Sequence, residues 1–475
     1  MAGKFLSLFG PLSRFIPEIG SPTRKVSFNE KLFWTGMALI IYLVMSEVSL
    51  FNVTGGGIDN SSLRIIFASN QGSLTELGIG PIVTGGLILQ LLIGSSIISA
   101  DLGNTEDRAL FTAATKIFAV VLTAVQASAY LLSGYYGSLD SVTSIVIFSQ
   151  LLIAGIVLLL LDEMLQKGWG IGSGISLFIL AGVARGIMWD SFGITANVAD
   201  GRQYGAFNAL YENISGGQSL FNSFFRLDAN GALTNFPSML GFVATVIVFV
   251  LVIYIEGVRV ELPISHANYR GFRGKYPIKL LYVSNLPVIF ASALFANVYV
   301  FAQLLNSQPW GQNNFFVNLL GTFETVEQGT TLTGGLAYYV TAPNGLAAVI
   351  ADPIRALLFV GIMVTFAVIF SLTWLEVGGL GPSTVAKQLV DSGMQVPGFR
   401  RSSRSIELIL KRYIPVVTIL GGALIGFIAA VAGFFGVFGS GMGILLAVGI
   451  LYQYYQLLVQ EQVTEMYPAL GNVLG

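Results

Sequence analysis

Ten runs of apolar residues, each long enough to cross a bilayer, constrain this chain more than any other feature. They fall near 32–51, 76–99, 109–133, 142–161, 171–189, 238–255, 283–305, 356–375, 413–435 and 441–459. A spanning helix needs roughly 20 mostly apolar residues. In lipid every backbone N–H and C=O must be satisfied within the protein, which a helix does by itself. The expected fold is therefore an all-α polytopic membrane protein of ten transmembrane helices. Only 10% of the 475 residues are charged, against about 25% in soluble proteins, so no large soluble domain is expected. The first run lacks a small-residue cleavage pattern and is followed by further spans, so it is expected to remain as a helix.

Lys and Arg set the orientation. With the N-terminus in the cytosol, nineteen of the 24 fall on the cytosolic side. They are Lys4, Arg14, Arg24, Lys25, Lys31, Arg108, Lys116, Lys167, Arg259, Arg270, Arg273, Lys275, Lys279, Lys387, Arg400, Arg401, Arg404, Lys411 and Arg412. Arg64, Arg185, Arg202, Arg226 and Arg355 fall outside. Both termini are thus expected in the cytosol. The spans divide into a cytosolic N-terminal segment 1–31, a first five-helix half 32–189, an external linker 190–237 and a second half 238–475. Five spans per half turn the second half upside down relative to the first. Inverted halves of this kind are common in membrane transport proteins, where the conduit lies at their interface.

The chemistry of enzymes and pumps is missing. There is no Cys and one His, His266, so disulfides, thiolate metal sites and paired histidines are excluded. No G-x-x-x-x-G-K-[ST] run offers a nucleotide site. No cofactor is expected. Asp162 and Glu163 are adjacent at the cytosolic end of the fourth span and read as a solvated helix end. Glu47, Lys116, Arg185, Arg355 and Glu376 all fall near span ends, away from the mid-membrane positions that ion coupling uses. The central polar groups are neutral: Thr84, Gln126 and Asn297. Such residues usually hydrogen-bond between helices, either as fixed glue or along a seam that opens.

Two cytosolic loops, near 256–282 and 376–412, are too long to be connectors and carry basic residues at Gly- and Pro-marked turns. Arg270 and Arg273 flank Gly271-Phe272, and Arg400 follows Pro397-Gly398-Phe399. Beyond holding the loops inside, such arginines suit a large anionic partner. The external segment 52–75 is Gly-rich, then carries a short amphipathic piece from Leu63 to Ser69 that cannot span. It reads either as an external loop or as a small element tucked into a cavity. Ile79 and Val83, and likewise Ile175 and Ile179, are spaced four apart and share a helix face. That spacing alone does not separate plain packing from a pore lining.

Several longer motifs point further. NYRGFRGKYPIKLLYVSNLPVIFASALFAN at 268–297 closely resembles the sixth loop and seventh helix of the SecY family of protein-conducting channels. NEKLFWTG at 29–36, FASNQGSLTELGIGPIVTGG at 67–86, LQKGWGIGSGISLFI at 165–179, GMQVPGFR at 393–400 and GSGMGILL at 439–446 follow in family order. The pattern is closer to the archaeal and eukaryotic alpha subunit than to the bacterial one. The external stretches 190–237 and 306–352 are longer than usual, and Glu324–Thr333 has no counterpart.

The resemblance implies a pore ring of Ile79, Val83, Ile175, Ile179, Ile289 and Leu446. It implies a plug at 58–72, including Leu63, Arg64, Ile65, Ile66 and Phe67, resting on the external side of that ring. It implies a lateral gate between spans two and three and spans seven and eight, with Thr84, Gln126 and Asn297 on its seam. Arg270, Arg273 and Arg400 would meet a ribosome or a translocation motor, and Glu376 matches an acidic gate-side position. The implied partners are the single-span SecE/gamma and SecG/beta subunits, signal sequences and nascent chains, and membrane lipid. The implied setting is the archaeal plasma membrane or the endoplasmic reticulum. The expected function is a passive pore for unfolded polypeptide with lateral release into lipid. The rival reading is a secondary transporter with inverted repeats, which the missing central charges disfavour. An intramembrane enzyme is disfavoured by the missing acids and nucleophiles.

Overall fold

The computed structural model describes residues 9–12, 17–53, 69–70, 72–94, 97–98, 105–132, 135–137, 139–194, 201–217, 219–228, 231–266, 273–283, 286–308, 311, 314–326, 329–395 and 403–466. Among the described residues, ten long helices follow the ten apolar runs. They are α1 (Phe28–Glu47), α2 (Gly80–Gly94), α3 (Thr105–Leu132), α4 (Ser141–Met164), α5 (Gly174–Phe192), α6 (Met239–Gly257), α7 (Leu286–Asn306), α8 (Pro353–Val377), α9 (Ser403–Phe434) and α10 (Gly441–Met466). Among the described residues, nine of these are long and apolar enough to cross a membrane. The exception is α2, whose 15 residues rise only about 22 Å.

The run at 76–99 was expected to be helical from its start, but Gly80 and Pro81 open the helix late. Residues 72–79 instead form turns in which Ser73, Thr75 and Glu76 are buried. Non-helical backbone at membrane depth is tolerated only where protein covers it, and this segment is covered. Leu50 N–H donates to the Gly72 carbonyl at 2.8 Å, and Leu74 N–H donates to Val48 at 2.9 Å. The Glu76 carboxylate accepts from Gly72 N–H and from the Tyr135 hydroxyl.

Helix starts follow local chemistry. Ser27 and Glu30 make a reciprocal capping box at α1. Ser238 caps α6 by accepting from Gly241 N–H. Asp352 caps α8, with Pro353 at its first position. The main apolar core runs between the helices, while α1 and α6 turn apolar faces outward, including Phe33, Ile40, Val44, Ile247, Val250 and Tyr254. On a spanning helix such faces meet lipid.

Outside the helices the chain is not purely helical. β1 (Arg259–His266) and β2 (Arg273–Lys279) form an antiparallel hairpin from the first cytosolic loop. β5 (Met394–Gln395), from the second loop, adds to its other edge in the order β2–β1–β5. The two basic loops are therefore one sheet-linked unit. Externally, β3 (Thr322–Val326) and β4 (Gly329–Gly334) pair as a hairpin over the stretch that had no family counterpart.

The stretch 190–237 is more than a linker. Two short helices, Ala206–Ser215 and Leu220–Phe225, precede Arg226, which is 1% exposed. Its guanidinium donates to the carbonyls of Gln203 at 2.6 Å, Tyr204 at 2.6 Å and Pro237 at 2.8 Å, over the ring of Phe236. The other described external arginines are engaged too. Arg185 pairs with Glu47 at 2.8 Å, Arg202 reaches the Leu227 carbonyl, and Arg355 stacks on Tyr338 and donates to its carbonyl. These charges hold the external face together.

Candidate functional site

The apolar candidates come from four helices and meet in one cluster. Ile79, Val83, Ile179 and Leu446 are buried in the main apolar core, and Ile175 and Ile289 are half-buried and packed against the same core. Ile79 immediately precedes α2, Val83 lies in its first turn, and Leu446 lies in the second turn of α10. Ile175 and Ile289 lie in the first turns of α5 and α7, and Ile179 in the second turn of α5. In the N-in orientation α2 and α10 start outside while α5 and α7 start inside. The two pairs thus approach the cluster from opposite faces of the membrane.

The neutral polar candidates also meet. Asn297 on α7 donates from Nδ2 to the Thr84 hydroxyl on α2 at 3.2 Å and to the Ala293 carbonyl of its own helix at 2.8 Å. Gln126 on α3 donates from Nε2 to Asn297 Oδ1 at 3.4 Å. Asn297 therefore links α7 to both α2 and α3 through one amide. Toward the cytosol an apolar cleft opens between α2, α7 and α8, lined by Leu87, Gln90, Leu91, Phe290, Phe370 and Trp374. Phe290 packs on Phe370 at 6.1 Å and on Trp374 at 5.7 Å. Aromatic residues 80 apart in sequence left no local signal of this contact.

Asp162 and Glu163 are not a solvated helix end. They are 8% and 7% exposed. Asp162 Oδ1 accepts from Ile175 N–H at 3.0 Å and from the Ser173 hydroxyl at 3.2 Å, so a carboxylate on α4 satisfies the start of α5. Gly174 is required there, because a Cβ would sit 2.7 Å from Asp162 Cα. Glu163 pairs with Lys116 and with Lys167, the latter at 2.8 Å. Lys116 also lies deeper than expected, three turns into α3, where Glu163 neutralises it. Lys167 reaches on to Glu18 at 2.6 Å, tying the N-terminal segment to this face. The hydrogen bond from Lys167, then the charge of Lys116, hold the Glu18 carboxyl below its ordinary range. Adjacent acids at a helix end look solvated in sequence, because the lysine from another helix is invisible there.

Some candidates cannot be placed. Leu63, Arg64, Ile65, Ile66, Phe67, Arg270 and Arg400 lie outside the described residues. The backbone of Arg273 opens β2 opposite Ser265. Glu376 is exposed in the last turn of α8.

A family model described as SecY matches residues 73–455, and one described as the plug domain of Sec61p matches residues 40–72. The chain belongs to the SecY family. A solved protein-conducting channel is 36% identical over 97% of this chain and 98% of its own, with a TM-score of 0.81. Sec61 from the canine ribosome–channel complex of the endoplasmic reticulum is also 36% identical over 97% and 98%, with a TM-score of 0.78. The yeast Ssh1 complex bound to the 80S ribosome gives 25% identity over 96% and 94%, with a TM-score of 0.77. The family is that of the protein-conducting channel, and this chain is a multi-pass membrane protein of that type. The plug match covers the segment read from sequence as 58–72.

Proposed function

We propose that Ile79, Val83, Ile175, Ile179, Ile289 and Leu446 form the constriction through which an unfolded chain passes. An apolar constriction excludes ions because they lose hydration and gain no contacts there. Ile, Val and Leu make no directional bonds, so the same ring fits many side chains. The Asn297-centred seam is the lateral gate, opening as the half 32–189 moves against the half 238–475. Through it, segments apolar enough to prefer lipid leave sideways, and polar segments continue across. The plug at 58–72 closes the external side of the ring. The sheet-linked cytosolic loops, with Arg270, Arg273 and Arg400, dock a ribosome, as the canine and yeast relatives do, or a motor. Two single-span subunits of the SecE/gamma and SecG/beta types complete the complex. Its role is conduction, and the work of transport comes from the docked partner.

The observation that carries this reading is that six apolar residues from four helical segments belong to or pack against one apolar core, beside a bonded polar seam joining α2, α3 and α7. The test is the conductance of the resting channel in planar bilayers. Ile79→Gly combined with Ile175→Gly should raise ion leakage above wild type. Equal conductance would remove the ring from these positions.

A further inference from the structure

Among the described residues, the external stretch after α7 carries an exposed apolar surface. In the short helix Phe315–Leu320, Phe315 is 74% exposed, Phe316 77% and Leu319 61%, while Val317 is buried. Its backbone is settled locally. Asn314 accepts from Phe316 N–H at 3.0 Å, and Gly321 N–H donates to the Val317 carbonyl at 2.9 Å. From Ser307 to Phe323 the sequence holds no charged residue, and it includes Trp310 with the two phenylalanines. Two adjacent exposed phenylalanines with a third apolar group one turn on would be costly in water. Each large side chain left exposed forgoes roughly 1.5–3 kcal/mol of burial.

Depth identifies what covers this surface. α7 has 21 residues, a rise of about 31 Å, which matches a hydrocarbon core of about 30 Å. Its outer end, Asn306, therefore lies at the external interface. The helix Phe315–Leu320 does not stand beyond that end. Gly321 is packed on Ala302, where an added Cβ would come within 2.9 Å of the alanine methyl. Phe323 meets Tyr299 at 5.9 Å between ring centroids. Ala302 and Tyr299 are four and seven residues before Asn306, about 6 and 10 Å back along the helix. The chain thus turns back beside the last two turns of α7.

We propose that Phe315, Phe316 and Leu319 form an interfacial anchor seated in the outer leaflet of the membrane, fastening the outer end of α7 to lipid. A short uncharged amphipathic helix with aromatics on its apolar face fits the boundary between headgroups and acyl chains. Asn314 and Asn318, both half-buried, lie four apart and so on one side of the helix. The anchor rests on burial and depth alone and stands whether or not Asn297 belongs to a gate. A protein partner seated on the same surface is the competing occupant.

The chain has no cysteine, so single substitutions Phe315→Cys, Phe316→Cys and Leu319→Cys each give a unique nitroxide site. The assembled complex in liposomes is measured by collision with oxygen, which concentrates in lipid, and with a water-soluble nickel chelate. The expected reading at all three positions is oxygen in excess of nickel, at a depth of about 5–10 Å below the headgroup plane. Thr333→Cys on the exposed edge of β4 should read as water. Nickel access at Phe316→Cys equal to that at Thr333→Cys would overturn the anchor. Exclusion of both reagents would overturn it too, because a protein would then cover the surface. Where Phe316→Cys fails to assemble, Leu319→Cys carries the same test.

Discussion

Replacing Gln126 and Asn297 together with leucine should make the channel demand more hydrophobic signals. The double substitution removes two interhelical hydrogen bonds, Gln126 to Asn297 and Asn297 to Thr84. Such bonds average about 0.6 kcal/mol in membrane helices, so closure loses about 1.2 kcal/mol. Both positions are half-buried in the closed seam and would face pore water when it parts. Half the burial of a leucine is about 1 kcal/mol, so two leucines return about 2 kcal/mol to closure. The net is about 1 kcal/mol toward the closed state. A central leucine in a spanning segment contributes about −0.5 kcal/mol, so about two further leucines in the signal should restore opening. The assay is membrane insertion of a signal series of graded leucine content. A threshold that stays in place, or moves toward less hydrophobic signals, would refute the balance of burial over bonding.

Arg270→Glu with Arg400→Glu should weaken ribosome binding and flatten its dependence on salt, because fewer phosphates are neutralised. Equal affinity and salt slope would leave these arginines a role in topology alone. Arg226→Ala should loosen the external stretch. One buried carbonyl and two part-buried ones lose their donor, the buried one at about 1–3 kcal/mol, so amide exchange there should quicken by about one order of magnitude or more. Unchanged exchange would mean that the guanidinium is dispensable. The contact of Glu18 with Lys167 should fail in acid. The folded carboxyl titrates below its ordinary value of 4.5, so its contribution is complete above that value and is lost as pH falls through the lowered one. Amide exchange around residues 17–25 should therefore rise only below about pH 4.5, and a rise near neutrality would assign the attachment to other groups.

The helices themselves were legible because transfer of a side chain into lipid is local and nearly additive. Every apolar run became a helix, and the boundaries that moved did so for identifiable reasons. Gly80 and Pro81 delayed α2 until protein covered the preceding turns. α9 runs from Ser403 through Pro415 and begins well before its apolar core at 413–435. The residues proposed for the ring and gate were singled out only through resemblance, since apolar pairs four apart occur on most spanning helices.

What the sequence by itself indicated was a bundle of apolar helices along the chain, with Lys and Arg concentrated on alternate connections. Each depends on residue type and on distance along the chain. Only the tertiary structure decided which groups meet. Asn297 finds Thr84 and Gln126 at separations of 213 and 171 residues, and Glu163 finds Lys116 rather than water. Arg226 closes on carbonyls on both sides of it, and two loops more than a hundred residues apart share a sheet. Such pairings depend on how each helix is rotated and how deep it sits against its neighbours. Those quantities are set by packing across the whole bundle, and no single segment encodes them.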